Sequence, residues 1–261
     1  MTHVVFVHGL WIHASAWAPW EERFRAAGYE THSPGWPGEP ATVEQAKARP
    51  ELVAGKGIND VVAHYAEFIA TLPEKPILVG HSFGGLIVQK LLGTGLGAAA
   101  VSIDAAPIKG VLNLPISALR VASVALRNPL NRSKSVTLTQ KEFRFGFGNA
   151  LSQTESDQLF ESTIPSPGKP LFEAAAANFL PHSPAKVDVK NSSRGPLLLI
   201  AGGNDHTAPL SIQRAISKLY SNSSAVTELK EFPDRGHSLT IDSGWGEIAD
   251  YAITWLAGKD L

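Results

Sequence analysis

Pro76-Ile77-Leu78-Val79-Gly80-His81-Ser82-Phe83-Gly84-Gly85-Leu86-Ile87-Val88 reads as a buried strand, a very tight turn and the opening of a helix. The strand is short and apolar, and the helix runs from Ser82 to about Leu92. A serine at the apex of such a turn sits in a strained backbone conformation, so the residues two before and two after it must be small. Gly80 and Gly84 meet that demand, and Gly85 lets the helix lie close to the sheet. The turn exposes the hydroxyl at the carboxyl end of the strand, where open α/β sheets bind their ligands. It also aims the Phe83 amide, beside a helix N-terminus, at the place where an oxyanion would form.

Outward from this segment the chain alternates strand and helix. His3 to Val7 is a strand ending at His8-Gly9, and a helix from Ala18 to Ala27 follows, closed by Gly28. Tyr29 to Ser33 is a second strand, running into the turn-rich Pro34-Gly35-Trp36-Pro37-Gly38. Asn59 or Asp60 is expected to cap a helix that extends through Thr71, and Ala98 to Ile103 is a further strand. From about 108 to 194 no convincing strand run appears. Helical stretches stand there between prolines, with capping-box patterns at Thr139 with Glu142 and Ser152 with Glu155. Alternation then resumes: Pro196 to Ala201 as strand, Leu210 to Tyr220 as helix, Ala225 to Phe232 as strand, Gly246 to Ala257 as helix.

Such alternation predicts an α/β protein with a mostly parallel sheet of about six strands and helices on both faces. Residues 1–107 and 195–261 are expected to form the core, with 108–194 inserted as a helical cap.

A serine hydroxyl needs a base within hydrogen-bond reach to become a nucleophile. Of the nine histidines, His237 is best placed, in a loop (Asp234-Arg235-Gly236-His237-Ser238) that follows the last strand and opens at the same rim as Ser82. Its imidazole needs a carboxylate to fix the tautomer. Asp205, directly after the Pro196 to Ala201 strand, is the expected acid. Asp104 ends the preceding strand and is the rival, whereas Asp234 and Asp242 share the loop of His237 and read as salt-bridge or capping residues. The Leu10 amide, in the loop after the first strand, is the expected second oxyanion donor beside Phe83, with Trp11 as the substitute. Trp11 and His206 are candidate pocket residues.

Other functions are argued against. Charged residues are 18% of the chain and the formal net charge is −1, so neither nucleic acid nor an anionic membrane is an expected partner. There is no cysteine, hence no disulfide and no thiolate chemistry. The N-terminus shows no signal-peptide pattern, which makes a cytoplasmic protein the expectation. Gly93-Thr94-Gly95-Leu96-Gly97 follows a helix and has the wrong spacing for a dinucleotide fingerprint. No metal-ligand spacing is found, and no cofactor is expected. Phe143, Phe145, Phe147, Phe160, Phe172 and Phe179 are concentrated in the cap. They are expected to form mainly its small core, with one or two facing the pocket. Arg120, Arg127, Arg132 and Lys134 read as a solvated face.

With His8-Gly9, Gly80-His81-Ser82-Phe83-Gly84-Gly85, Gly202-Gly203-Asn204-Asp205 and Gly236-His237 in this order, the chain resembles the α/β-hydrolase superfamily over nearly its whole length. The resemblance implies a cofactor-free, carboxylesterase-like enzyme acting on a small-molecule ester or lactone through an acyl-enzyme on Ser82. Only seven residues precede His8-Gly9. In that abbreviation the chain looks like the plant methylesterase and hydroxynitrile lyase branch, while its elbow also looks like that of bacterial esterases and haloperoxidase-type hydrolases. A serine argues against the dehalogenase and epoxide hydrolase branches, which attack with aspartate. A lyase using the same three residues as acid and base, or a ligand receptor without catalysis, are the alternatives.

Overall fold

Val4, Val5, Phe6 and Val7 are all fully buried, as consecutive residues must be when a strand is covered on both faces. The computed structural model describes residues 1–112 and 114–261. Its strands in chain order are β1 (His3–Val7), β2 (Glu30–His32), β3 (Ile77–His81), β4 (Ala99–Ile103), β5 (Ser135–Val136), β6 (Ser166–Pro167), β7 (Leu197–Gly202) and β8 (Thr227–Phe232). Six of them form one sheet in the order β2-β1-β3-β4-β7-β8, with every neighbouring pair parallel.

The helices are α1 (Ala18–Ala26), α2 (Val43–Ala48), α3 (Ile58–Ile69), α4 (Phe83–Gly93), α5 (Ile116–Leu126), α6 (Gln140–Gly146), α7 (Gln153–Phe160), α8 (Lys169–Ala175), α9 (Leu210–Leu219) and α10 (Trp245–Ala257). Strand side chains alternate between two cores. Val4, Phe6, Ile77, Val79, Leu198 and Ile200 pack with Trp20 and Phe24 of α1 and with Ile248 and Leu256 of α10. Val5, Val7, Leu78, Leu197 and Leu199 pack on the other side with residues of α3, α4 and α9, and with the segment between β4 and β7. None of the described helices is long and apolar enough to cross a membrane.

The strand order creates the functional rim. From β1 the chain moves outward to β2, then returns across β1 to β3, after which β4, β7 and β8 add in the opposite direction. Loops leaving β1 and β3 therefore diverge and leave a crevice between their carboxyl ends. Val7 pairs with Gly80, so Gly9-Leu10 and Ser82 emerge side by side.

Three local expectations need adjustment. The cap of α3 is Gly57: Asp60 sits three residues in and its carboxylate reaches back to the Gly57 amide at 2.7 Å. Ser152 accepts the Glu155 amide at 3.2 Å, but the Glu155 side chain turns to the Ser243 amide at 2.7 Å, so only half of that box forms. The 108–194 interval does contain strand pairing, the antiparallel contact of β5 with β6. At two residues each, these strands are too short to leave a readable pattern.

Candidate active site

Ser82 has φ 58° and ψ −121°, a region that non-glycine residues rarely enter and that costs about 1–3 kcal/mol. Hydrogen bonds on both sides hold it there. Its amide donates to the Ile103 carbonyl at 2.9 Å, and its carbonyl accepts the amides of Ala106 at 3.0 Å and Leu86 at 3.3 Å. A Cβ on Gly80 would overlap the Gly84 carbonyl, and one on Gly84 would overlap the Val7 carbonyl of β1. The turn is tight because nothing larger than hydrogen fits at either position.

The rim loops bring the remaining groups to Ser82. His237 Nε2 is 3.0 Å from Ser82 Oγ, and His237 Nδ1 is 2.6 Å from Asp205 Oδ2. Asp205 is oriented in turn by the amides of Thr207 at 2.6 Å and Ala208 at 2.9 Å, both donating to Oδ1. The loop of His237 is clamped by Asp242, which pairs with Arg235 and accepts the Ser238 hydroxyl at 3.2 Å. Phe147 stands edge-on to the His237 ring at 4.8 Å, and His81 packs against it at 4.6 Å. Burial, reinforced by the neighbouring His237, holds His81 well below the usual imidazole range. It stays neutral and donates Nε2–H to the His237 carbonyl at 2.9 Å.

On the other side of Ser82 lies the loop after β1. A Cβ on Gly9 would come within 2.6 Å of Ser82 Cβ, so this loop lies directly over the serine. No acceptor among the described residues takes the amide of Leu10 or of Phe83. The Trp11 amide, by contrast, already donates to Ser166 Oγ at 2.6 Å, and the Trp11 indole donates to the Val136 carbonyl at 3.0 Å. Trp11 itself has φ 65°.

Beneath the loop, the buried His8 ring donates Nδ1–H to the Gly9 carbonyl at 2.8 Å. Its Nε2 lies 3.0 Å from Glu39 Oε2, in an ion contact that is not an aligned hydrogen bond. Burial opposes charge on both partners, yet each overcomes it for the other: the imidazole is raised and the carboxyl lowered from their usual ranges. The other oxygen of Glu39 accepts the Ala14 amide at 3.0 Å.

A cavity of about 660 Å³ of empty space, including its open mouth, leads to Ser82. Trp11, Ser82 and Phe83 line one end; Leu114 together with Ala118, Val121, Ala122 and Leu126 of α5, Leu171, Ala174 and Ala175 of α8, and Thr207 and Ala208 line much of the rest. The Thr207 hydroxyl is bonded to the Gly146 carbonyl at 2.8 Å, so the other hydroxyl of the described lining is that of Ser82. The six phenylalanines of the 108–194 interval are not among the lining residues. Phe143 and Phe147 stack in the core, whereas Phe179 is exposed. His206 is not among them either, because its Nδ1 turns to the Phe145 carbonyl at 3.0 Å. Arg120, Arg127, Arg132 and Lys134 are exposed.

Two sets of donor atoms stand close enough to surround an ion. His3, Glu30 and His32 meet across β1 and β2, a pairing hidden from sequence spacing. There His3 Nδ1 and His32 Nε2 are 3.0 Å apart and bond each other. The second set is Asp104, Asp205 and His237, whose ring nitrogens are already engaged by Ser82 and Asp205.

The sequence matches the alpha/beta hydrolase family over residues 4–251. The chain belongs to that family. No curated protein sequence matches it. Among solved structures, a methylesterase from Arabidopsis is 18% identical, with TM-score 0.67 and 98% of this chain and 99% of that chain covered. An extracellular alpha/beta-hydrolase from a Paenibacillus species is 19% identical, with TM-score 0.71 and coverage of 97% and 98%. A monoacylglycerol lipase from Paleococcus ferrophilus is 22% identical, with TM-score 0.69 and coverage of 98% and 94%. At these identities the likeness is one of fold.

Proposed function

We propose that this alpha/beta hydrolase is a serine esterase that cleaves a carboxylic ester or lactone with an apolar acyl or aromatic part. The observation that carries this reading is the continuous path from Ser82 Oγ to His237 at 3.0 Å and on to Asp205 at 2.6 Å, opening on a cavity with apolar walls.

His237 takes the proton of Ser82 as the oxygen attacks the carbonyl carbon. The tetrahedral oxyanion is received by the amides of Leu10 and Phe83, each worth about 3–4 kcal/mol in the transition state. His237 then returns the proton to the departing alcohol, leaving an acyl-enzyme. Water repeats the sequence with the same base, and the acid is released. Residues 108–194 act as a cap: α5 and α8 supply the wall against which the apolar part of the substrate lies, shielding the reaction from bulk water.

The lyase alternative is less well supported. It would use the same three residues as acid and base, and nothing in the apolar lining of the cavity singles out a cyanohydrin.

A panel of nitrophenyl esters of graded acyl length, with fluorophosphonate labelling, tests the proposal. Wild type is expected to hydrolyse and to be labelled, and Ser82→Ala to lose at least about 10⁴-fold in kcat together with all labelling. Equal turnover by Ser82→Ala would remove the serine, and with it the esterase mechanism.

A further inference from the structure

Asp104 ends β4 at the rim of the sheet but stands outside the path from Ser82 to Asp205. It is fully buried. Its backbone is held at φ 42° with its amide bonded to the Ile200 carbonyl at 2.9 Å, so the sheet sets the direction of its side chain. Oδ1 accepts the Gly202 amide at 2.8 Å. No donor from the described residues reaches Oδ2.

The polar neighbour that remains is another carboxyl. One oxygen each of Asp104 and Asp205 and one ring nitrogen of His237 all lie within 4.8 Å of one another. Two ionised carboxylates this close in a buried site repel each other and, since both only accept, can share no hydrogen bond. One of them must hold a proton. Asp205 already accepts from the Thr207 and Ala208 amides and meets the His237 ring. Asp104 receives a single amide.

We propose that Asp104 is kept as a neutral carboxylic acid whose hydroxyl donates to Asp205, making it a positioning residue for the base-and-acid pair. Burial above all, then the adjacent Asp205, pushes the Asp104 carboxyl well above the usual carboxylate range. The titratable groups around it are Asp205 and His237, with His81 behind His237. Arg235 lines the same space with its backbone only, since its guanidinium goes to Asp242. Gln213 of α9 is occupied with the backbone of Ala105. No lysine or arginine among the described residues bonds either carboxyl.

The consequence for turnover rests on the esterase reading. An imidazolium formed on His237 faces one negative charge instead of two, so it remains acidic enough to give its proton to the leaving group. The donated bond also fixes the Asp205 carboxyl that orients the ring.

Difference infrared spectra of the resting protein at neutral pH are expected to show a protonated-carboxyl band that Asp104→Asn removes. In the pH profile of kcat/KM, Asp104→Asn should leave the acid limb in place, because a neutral donor replaces a neutral donor. Asp104→Leu, which cannot donate, should lower kcat by on the order of tenfold with KM little changed. Absence of the band, or movement of the acid limb to lower pH by about one unit in Asp104→Asn, would show an ionised Asp104 and overturn the proposal. Full kcat in Asp104→Leu would remove its positioning role. The infrared arm needs no substrate, so it decides the protonation state even if Ser82→Ala sinks the esterase reading.

Discussion

The buried pairs His237–Asp205 and His8–Glu39 flank Ser82, and their geometry differs. His237 meets Asp205 through one nitrogen and a hydroxyl through the other. His8 meets Glu39 through one nitrogen and the Gly9 carbonyl through the other. A ring whose second nitrogen faces Ser82 Oγ can accept a proton and give it back. A ring whose second nitrogen faces a carbonyl oxygen must keep the proton on that nitrogen, since a carbonyl only accepts, and a carboxylate beside the first nitrogen favours a proton there as well. The raised imidazole of His8 and the lowered carboxyl of Glu39 agree with a fixed ion pair. On the proposed mechanism the same two residue types make a proton relay on one side and a brace for the Gly9-Leu10 loop on the other, and the difference lies in one acceptor.

The largest effect that would sharpen this contrast is expected at the relay. Asp205→Asn should lower kcat about 10³- to 10⁴-fold, because the amide favours the wrong tautomer of His237. Nitrophenyl ester kinetics measure this, and the melting temperature is expected to change little. Glu39→Gln should show the reverse balance. Leaving His8 buried without its partner should cost about 3–5 kcal/mol of stability, with a smaller loss of kcat, on the order of tenfold, as the Leu10 amide loses its alignment. Denaturant unfolding separates the two contributions. A catalytic loss in Glu39→Gln as deep as that of Asp205→Asn would dissolve the distinction between brace and relay.

The brace also has a pH signature. Glu39, with its carboxyl lowered, contributes stability above the free carboxylate value and loses it as pH falls through the folded value. His8, with its imidazole raised, contributes fully below the free imidazole value and loses that stability as pH rises through the folded one. The stability difference between wild type and Glu39→Gln should accordingly peak at about pH 5–6 and shrink on either side. A difference independent of pH would argue against the ion pair. The smallest effect is expected in the cavity wall. Ala118→Phe should raise KM by on the order of tenfold for long acyl chains and leave acetyl esters nearly unchanged.

Much of the Ser82–His237–Asp205 arrangement was legible in the sequence because its signals are local. Gly80 to Gly85 is one turn, and Gly202 to Asp205 and Gly236-His237 each follow a recognisable strand. The six-stranded core was legible for the same reason, since each buried strand is a continuous apolar run. The brace was not, because Glu39 sits in a turn-rich loop and gains its partner only when the chain closes around β1. Nor was the hold of Ser166 and Val136 on Trp11, which depends on the two-residue pair β5–β6. The cavity wall misled for a different reason. Five of the six phenylalanines packed as core and Phe179 is exposed, so the one or two expected at the pocket are not there; space is made where side chains are small.

Ala106, Ala118, Ala122, Ala174, Ala175 and Ala208 supply much of the cavity surface. Methyl groups leave almost nothing to trim, so the chamber's capacity is dictated by how far α5 and α8 stand from the rim. Point changes at these alanines can only restrict the clientele, whereas admitting bulkier molecules falls to trimming Leu114, Leu126 or Leu171 or to re-spacing the backbone itself.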